Sequence, residues 1–294
     1  MSFLIVEPYL VELVRRMDTE GFPLIVAGGL GLHLKRRWVR QQVLDHGRET
    51  LMAIVPEARP TKDIDVFLRM DVFVQGEGEH VERFRRALEG LSYEVKTEFF
   101  QFSKRDTDVS IDLHTRMPNQ QELVVVKCNK QRVGRKKQPS LKLHAYGTPE
   151  AFAIDDKPQT LPLIGEDPEG QRFEGHVRVP HPFAALCMKI QAAKDFEDLS
   201  PAEREDEENA KGQKHAFDLY LLLAMLDLQE VDEIRELVRS HAENPLFAGI
   251  RTGRREIFGV PDSPGCRTIR KEAQRLGERI ELERFTVLLG ELFA

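Results

Sequence analysis

At 294 residues, with 41% hydrophobic and 31% charged residues, the chain has enough apolar material for one large domain or two ordinary ones, which excludes wholesale disorder. Its net charge of -6 excludes a generic binder of polyanions, while leaving room for a local basic patch. The N-terminus lacks the pattern of a signal peptide, and no apolar run approaches the roughly 18 residues of a membrane span. We therefore expect a soluble cytoplasmic protein with no membrane contact, whose cysteines are free thiols.

The first elements are a helix, a short strand and a second helix. Apolar residues at helical spacing predict a helix over 8–17, and the apolar run 23–27 predicts a buried strand that ends at Gly28-Gly29. Helical spacing resumes over 30–40. A strand, paired glycines and a helix can hold phosphate, because glycine lets the backbone come close and a helix N-terminus offers N–H groups. A tight turn needs paired glycines just as often, so both interpretations stay open.

The stretch Arg59–Leu68 predicts a strand with two carboxylates on one face. Side chains alternate along a strand, so Asp63 and Asp65 share one face while apolar side chains cover the other. Two like charges held about 7 Å apart along a strand repel unless a cation lies between them. A hard divalent ion with oxygen ligands, such as Mg²⁺, fits that need. The alternative is an edge strand whose outer face is simply solvated.

A third carboxylate, Asp112, lies on a later stretch with the same alternation. Ser110, Asp112 and His114 share one face of the predicted strand 108–114, and apolar residues form its other face. An acid on an alternating strand is often only its solvated side. The chain order of paired glycines, an acidic pair and one more acid favours a joint site.

The segment Lys127–Lys142 is basic and contains no acidic residue. Its pattern indicates a strand, a turn and a strand. The segment could bind a phosphate backbone. A solvated hairpin explains it equally well, because no aromatic residue is interleaved for base stacking.

Helices dominate the rest of the chain. A predicted helix over 183–193 carries Lys189 among apolar residues, where a lysine needs an anionic partner or must extend to solvent. A second predicted helix, over 211–226, carries Lys214 and Asp218 four residues apart.

The boundary between strands and helices indicates two domains. Strands dominate between residues 23 and 179, which indicates an α/β or α+β N-terminal domain over 1–179. A helical C-terminal domain over 180–294 follows. Within it, the acidic segment 195–208 is expected to be a solvated loop.

Together these motifs resemble the nucleotidyltransferase (DNA polymerase β-like) superfamily. The run from Arg59 to Asp65 is similar to the Arg-x-Ser/Thr-x-Asp-hydrophobic-Asp motif of AbiEii-type nucleotidyltransferases, the toxin halves of abortive-infection toxin–antitoxin pairs. Those proteins have a helical C-terminal part with a lysine on one helix and an aspartate on a later one, and Lys189 and Asp218 match these places. The resemblance covers roughly residues 23–225.

The resemblance implies an α+β fold, in which a nucleotidyltransferase-like mixed sheet domain is followed by a helical C-terminal domain. It also implies a transferase of the EC 2.7.7 class, which moves a nucleoside monophosphate from an NTP to an acceptor hydroxyl with Mg²⁺ as cofactor. The acceptor would be RNA such as tRNA, bound through Lys127–Lys142, or a protein, and a cognate antitoxin would be a partner. The long gap after the paired glycines implies an insertion around residues 38–57.

Roles for individual residues follow from the same resemblance. The implied metal ligands are Asp63, Asp65 and Asp112, and the implied catalytic residues are these three acids with Lys189 and Asp218. The implied nucleotide-binding residues are Gly28, Gly29, Arg59, Thr61, Lys189 and Lys214. Asp112 would also accept the acceptor's proton, and Lys189 would pair with the triphosphate. Asp218 would orient Lys214 or touch the acceptor.

Two other functions stay open at this stage. The first is a non-catalytic module with a nucleotidyltransferase-like fold, which binds nucleotide or RNA without turnover. RNA binding that survives the loss of Asp63 and Asp65 and weakens with salt would favour it. The second is an interaction protein whose acidic segment 195–208 meets a basic partner, which salt-sensitive co-purification would favour.

Overall fold

A computed structural model of the chain describes residues 6–22, 24–59, 61–75, 78–97, 100–136, 143–206 and 211–294. Its contacts divide the chain into two compact units. The first, here called the sheet unit, comprises residues 1–35 and 59–181. The second, the helical unit, comprises residues 36–58 and 182–294. The expected α+β fold class is confirmed.

The sheet unit combines a large sheet with a few helices. Its helices are α1 (Glu7–Thr19), the first part of α2 (Gly28–His46), α3 (Asp71–Val74) and α4 (Glu79–Gly90). Its strands are β1 (Ile25–Val26), β2 (Asp63–Phe67), β3 (Tyr93–Thr97), β4 (Gln101–Lys104), β5 (Ser110–Arg116), β6 (Val126–Asn129), β7 (Arg132–Arg135), β8 (Ala145–Thr148), β9 (Gln159–Glu166) and β10 (Arg172–Val179). Single 3-10 turns lie at Glu122–Val124 and Pro149–Ala151.

The ten described strands form one mixed sheet, in which eight follow the order β6-β7-β8-β5-β2-β1-β10-β9. The other two lie off this path, with β4 paired to β5 and β3 paired to β4. Strands β2, β5 and β8 run parallel to one another, and β1 runs parallel to β10, while the other neighbours are antiparallel. Strand β5 pairs with β2 along one edge and with β4 and β8 along the other. The expected mixed sheet therefore has β5 and β2 near its middle.

The inner face of β2 and β5 forms the centre of the sheet unit's core. Ile64, Val66, Ile111 and Leu113 are all 0% exposed. Burial of each such side chain contributes about 1.5–3 kcal/mol relative to exposure. This apolar face holds the two strands in register and leaves their opposite faces to the polar residues.

The helical unit contains the rest of α2 and a set of packed helices. They are α5 (Pro182–Asp198), α6 (Pro201–Glu205), α7 (Lys214–Ala224), α8 (Leu228–Ser240), α9 (Pro245–Phe258), α10 (Pro264–Leu276) and α11 (Leu282–Leu292), with a 3-10 turn at Lys211–Gln213. Fully buried rings fill its core: Phe183, Phe217, Tyr220, Phe247, Phe258 and Phe285. Such rings carry much of the apolar area that stabilises a helical bundle.

The expectation that 195–208 is a loop is wrong for the part that the structure describes. Helix α5 continues to Asp198, and the short helix α6 follows at once. Ser200 accepts a hydrogen bond from the backbone of Glu203, whose side chain binds the backbone of Ser200 in return. This capping box, with Pro201 in the first turn, starts a helix despite the high charge. Residues 207–210 lie outside the described residues.

Residues 36–58, which the strand pattern assigned to 1–179, pack with the helical unit. The backbone N–H of Leu51 donates to the carbonyl of Leu226 at 2.7 Å. The Arg48 guanidinium lies 2.7 Å from the Glu230 carboxylate and 3.1 Å from that of Asp227, and it stacks over the Trp38 ring at 4.6 Å. These long-range contacts hold the segment that separates the paired glycines from the acidic pair.

Several smaller expectations can be compared with the structure. Cys128, Cys187 and Cys266 are free thiols, and the basic segment begins with the expected hairpin of β6 and β7. The predicted strand over 23–27 contains only Ile25 and Val26 in β1, and Pro23 lies outside the described residues. Among the helices that the structure describes, none is long and apolar enough to cross a membrane.

We expect Arg48→Ala to lower the free energy of unfolding by about 3 kcal/mol, because the carboxylate of Glu230, whose side chain is 5% exposed, would lose the guanidinium that lies 2.7 Å away. Arg235→Ala is the matched control, since its ion pair with Asp232 is exposed, and it should change stability by less than about 0.5 kcal/mol. Denaturant unfolding of both variants measures the difference. Equal losses would contradict a structural role for the buried pair.

Candidate active site

The parallel register of β2 and β5 brings the acidic residues onto one face of the sheet. Asp63 pairs with Ser110 and Asp65 pairs with Asp112 across the two strands. Register partners point to the same side of a sheet, so these carboxylates lie opposite the buried face formed by Ile64 and Ile111. Acids from distant parts of the chain therefore lie side by side on one face of the sheet, as expected.

Asp65 and Asp112 form a compact group with His114. One potential ligand atom from each of the three residues lies within 4.8 Å of the others, and His114 Nε2 is 3.6 Å from Asp65 Oδ1. The alternation of residues along β5 predicts His114 on this face, but the sequence does not mark it as a site residue. Its spacing of two residues from Asp112 is the only sequence signal that could have identified it. That spacing is too common along strands to mark a histidine as a site residue.

Asp63 has a different local partner. Its Oδ1 accepts a hydrogen bond from the Ser110 hydroxyl at 2.8 Å, and the residue is exposed. It belongs to the same face as Asp65 but is not among the three residues of the compact group. A serine facing an aspartate across parallel strands gives no signal in the sequence, because their pairing depends on register.

Burial and like charge both act on Asp112. Burial raises the pKa of this carboxyl, and the nearby charge of Asp65 raises the pKa further, while a hydrogen bond from Gln101 opposes the shift. Asp112 Oδ1 is buried and has no hydrogen-bond partner among the described residues. A buried carboxylate oxygen without a partner costs free energy, and a bound cation would satisfy it. Two carboxylates and an imidazole are donors that suit a divalent metal ion.

The paired glycines lie against Asp65 at the start of α2. Gly28 has a φ of +59°, and a Cβ built there would overlap Asp65 Oδ2. A Cβ on Gly29 would lie 3.0 Å from the Cβ of Thr61. The backbone N–H of Ala27 donates to the Asp65 carbonyl at 2.9 Å, which ties the turn to β2. Glycine is therefore needed at position 28, because only it combines this backbone conformation with so close an approach.

The residues before the acidic pair flank the same turn. Thr61 is half-buried beside Gly29, and its hydroxyl donates a long hydrogen bond of 3.4 Å to the Asp63 carbonyl. Arg59 is half-buried. Both belong to the sheet unit, as do the paired glycines and all three acids.

Lys189 and Asp218 form an ion pair within the helical unit. Lys189 Nζ on α5 lies 2.8 Å from Asp218 Oδ2 on α7, and 3.3 Å from His215 Nδ1. Their side chains are 15% and 4% exposed. Of the two alternatives expected for Lys189, an anionic partner or extension to solvent, the structure shows the first, with Asp218 as the partner. Lys214 is exposed.

Some cations of the basic segment bind backbone carbonyls, and others are exposed to solvent. Arg135 donates to the Phe73 carbonyl at 2.9 Å, and Lys136 donates to the Leu123 carbonyl. Lys127 and Lys130 are exposed on the hairpin. The rest of the segment, 137–142, lies outside the described residues.

Comparison with protein families gives a match that covers most of the chain. A family model described as "Nucleotidyl transferase AbiEii toxin, Type IV TA system" matches residues 50–284. That span includes the acidic pair, Asp112 and the Lys189–Asp218 pair, but begins after the paired glycines. No curated protein matches the chain.

Two solved structures share a distant likeness. The solution structure of the antibiotic-resistance factor ANT(2'')-Ia has 15% identity and a TM-score of 0.35, over 81% of this chain and 95% of that chain. The crystal structure of ANT(2")-Ia in complex with adenylyl-2"-tobramycin has 15% identity and a TM-score of 0.39, over 81% and 99%. At these TM-scores the likeness carries no functional argument.

We expect Gly28→Ala to weaken divalent-metal binding at least about ten-fold, because the new methyl group would displace the Asp65 carboxylate. Gly47→Ala is the matched control, since Gly47 has a φ of +65° and nothing within 4 Å of the added Cβ. It shares the backbone strain but not the contact. Calorimetric titration with Mn²⁺ separates the two effects, and equal loss in both variants would contradict the close approach.

We expect Asp112→Asn to raise the melting temperature of the metal-free protein by a few degrees at about pH 7.5, because it removes a buried charge repelled by Asp65. The folded state raises the pKa of Asp112, so the ionised carboxylate costs stability above that pKa and the cost disappears as the pH falls through it. The gain should therefore shrink towards about pH 4. Thermal unfolding in EDTA measures this. The exposed Asp108→Asn is the control, and a pH-independent gain would contradict the assignment.

Proposed function

Because this chain belongs to the AbiEii family of nucleotidyltransferase toxins from type IV toxin–antitoxin systems and is thus a nucleotidyltransferase, we propose that it moves a nucleoside monophosphate from an NTP to an acceptor hydroxyl with the help of Mg²⁺. The observation that carries the proposal is the register of β2 and β5, which places Asp65 beside Asp112. The family also supports a cognate antitoxin as partner.

Asp65 and Asp112 are the residues that would hold the metal. The buried Oδ1 of Asp112, which has no hydrogen-bond partner among the described residues, supports this role. Asp63 and His114 flank them on the same face. When bound, Mg²⁺ would neutralise charge on the phosphates and help to align the attacking and leaving oxygens. Phosphoryl chemistry depends more on such positioning and charge than on covalent help from the protein.

The start of α2 would hold the β- and γ-phosphates. Its first N–H groups, from Gly28 onward, lack intrahelical partners, and they carry the partial positive charge of a helix N-terminus. The glycines let a phosphate approach the backbone beside Asp65. Arg59 and Thr61 flank this turn and would assist in binding the nucleotide.

Asp112 would also accept the proton of the acceptor hydroxyl, directly or through water. Its position beside Asp65, on the face where the metal and the acceptor would meet, supports this role. The proton would go to a carboxylate oxygen as the hydroxyl oxygen attacks the α-phosphorus and pyrophosphate leaves.

In the helical unit, Lys189 and Asp218 form the ion pair that matches the family's lysine and aspartate, and a role of Lys189 towards the triphosphate stays a prediction. Asp218 Oδ2 lies 2.8 Å from Lys189 Nζ, so Asp218 would act by positioning Lys189. This assignment replaces the idea that Asp218 orients Lys214, which is exposed.

Incubation with NTPs labelled at the α- or γ-phosphate, together with Mg²⁺ and total RNA or protein, tests the proposal. We expect α-label but not γ-label to reach the acceptor, and we expect EDTA to abolish the transfer. Asp65→Asn should lower the rate at least about 100-fold, because it removes charge where the metal and phosphates meet. Asp108→Asn, an exposed acid before β5, is the control and should keep full activity.

The alternative of a non-catalytic binding module predicts a different outcome. Such a protein would bind RNA or nucleotide with the same affinity in the wild type and in Asp65→Asn, without metal-dependent transfer of any label. That result with all four NTPs would overturn the proposed activity.

A further inference from the structure

Aromatic side chains lie beside the acidic group on the same face of the sheet. The His114 ring stacks on Phe67, with ring centroids 5.2 Å apart, and meets the edge of Tyr146 at 6.0 Å. Tyr146 in turn lies 5.9 Å from Phe100. Since His114 Nε2 is 3.6 Å from Asp65 Oδ1, Tyr146 is separated from the acids by a single side chain.

The strand register joins these rings to the basic hairpin. His114 on β5 pairs with Tyr146 on β8, and Tyr146 pairs with Arg132 on β7. The three residues therefore form one row across three strands and point to one face. The exposed Lys127 and Lys130 lie on the same hairpin as Arg132. The basic segment contains no aromatic residue, but its neighbour β8 provides one.

The position of Tyr146 is defined while part of its ring stays accessible. Its hydroxyl forms a hydrogen bond with the Gln131 side chain in the turn of the hairpin. Tyr146 and Phe100 are both half-buried, so part of each residue is exposed. A ring held in place in this way can stack a flat ligand at a small cost in side-chain entropy.

We propose that Tyr146 and Phe100, with Arg132 alongside, form a stacking subsite for the terminal nucleotide of a single-stranded RNA acceptor. The inference rests on the proposed function, because it names the acceptor of the same site. Aromatic stacking beside cations that follow a phosphate backbone is the usual chemistry of single-strand binding. A base on Tyr146 would place its sugar next to His114 and the acids, while the preceding phosphates would follow the hairpin.

A protein acceptor fits these features less well. It presents no flat base to stack in a fixed position and no regular row of phosphates for Lys127 and Lys130. The Tyr146 ring and the neighbouring cations therefore favour an RNA acceptor over a protein acceptor.

Binding of a short single-stranded RNA with 2-aminopurine at its 3' end tests the subsite without any turnover. The full-length protein should quench the fluorophore by stacking. Tyr146→Ala should remove the quenching and weaken binding about ten-fold, whereas Tyr146→Phe should retain both, since the ring is kept. Phe100→Leu, which keeps bulk but not aromaticity, is the second variant if Tyr146→Ala does not fold.

Steady-state kinetics separate loss of the subsite from a general structural change, because only the former should raise KM for the RNA acceptor alone. Tyr146→Ala should raise KM for the RNA acceptor about ten-fold and leave KM for the NTP within about two-fold. Lys127→Gln should make binding less salt-dependent, by about 0.7 in the logarithmic slope, while Lys96→Gln, at an exposed position of β3 outside the hairpin, should not.

Two results would overturn the subsite. One is equal RNA affinity and quenching in the wild type and in Tyr146→Ala, and the other is label transfer to protein with no binding of the RNA. In either case persistent α-label transfer that Asp65→Asn abolishes would leave the proposed nucleotidyl transfer intact, so the two failures are distinguishable.

Discussion

The repulsion between Asp65 and Asp112 is the constraint on which the rest of the sheet unit's site depends. The two residues are register partners on parallel strands, and the apolar side chains behind them hold that register. The register keeps the two residues side by side on one face of the sheet. Burial raises the pKa of Asp112, and one of its oxygens lacks a partner among the described residues. A cation relieves all of these costs at once, which is why the site suits metal-assisted chemistry.

The surroundings of the acids follow from this close packing. Gly28 lies where any side chain would overlap Asp65, so the turn before α2 brings backbone N–H groups next to the carboxylate. Acid and helix N-terminus have opposite preferences, the first for a cation and the second for an anion. Together they suit a metal-bound phosphate better than either ion alone. His114 closes one side of the acids and joins them to the aromatic row.

The helical unit stabilises its charges in a different way. Lys189 and Asp218 neutralise each other at 2.8 Å, and Arg48 satisfies the buried Glu230 at 2.7 Å. Pairs of this kind need good geometry to offset the desolvation of both ions. Residues 36–58 supply Arg48, so the segment between the glycines and the acidic pair contributes to this unit's stability.

Local patterns in the sequence were sufficient for several features of the protein. Period-2 alternation placed Asp63 and Asp65 on one face of a strand and Asp112 on a face of another, and the motif order identified the family. These features depend on neighbours within a few residues, which the sequence records directly. Contacts between distant residues were decided by the tertiary structure alone. The register of β2 and β5 places His114 next to Asp65 and lets Ser110 bind Asp63. Helix packing pairs Lys189 with Asp218. The pairing of β7 with β8 places Tyr146 beside a basic segment that has no aromatic residue. Strand register and helix packing result from the whole core, so no local pattern could specify those partners.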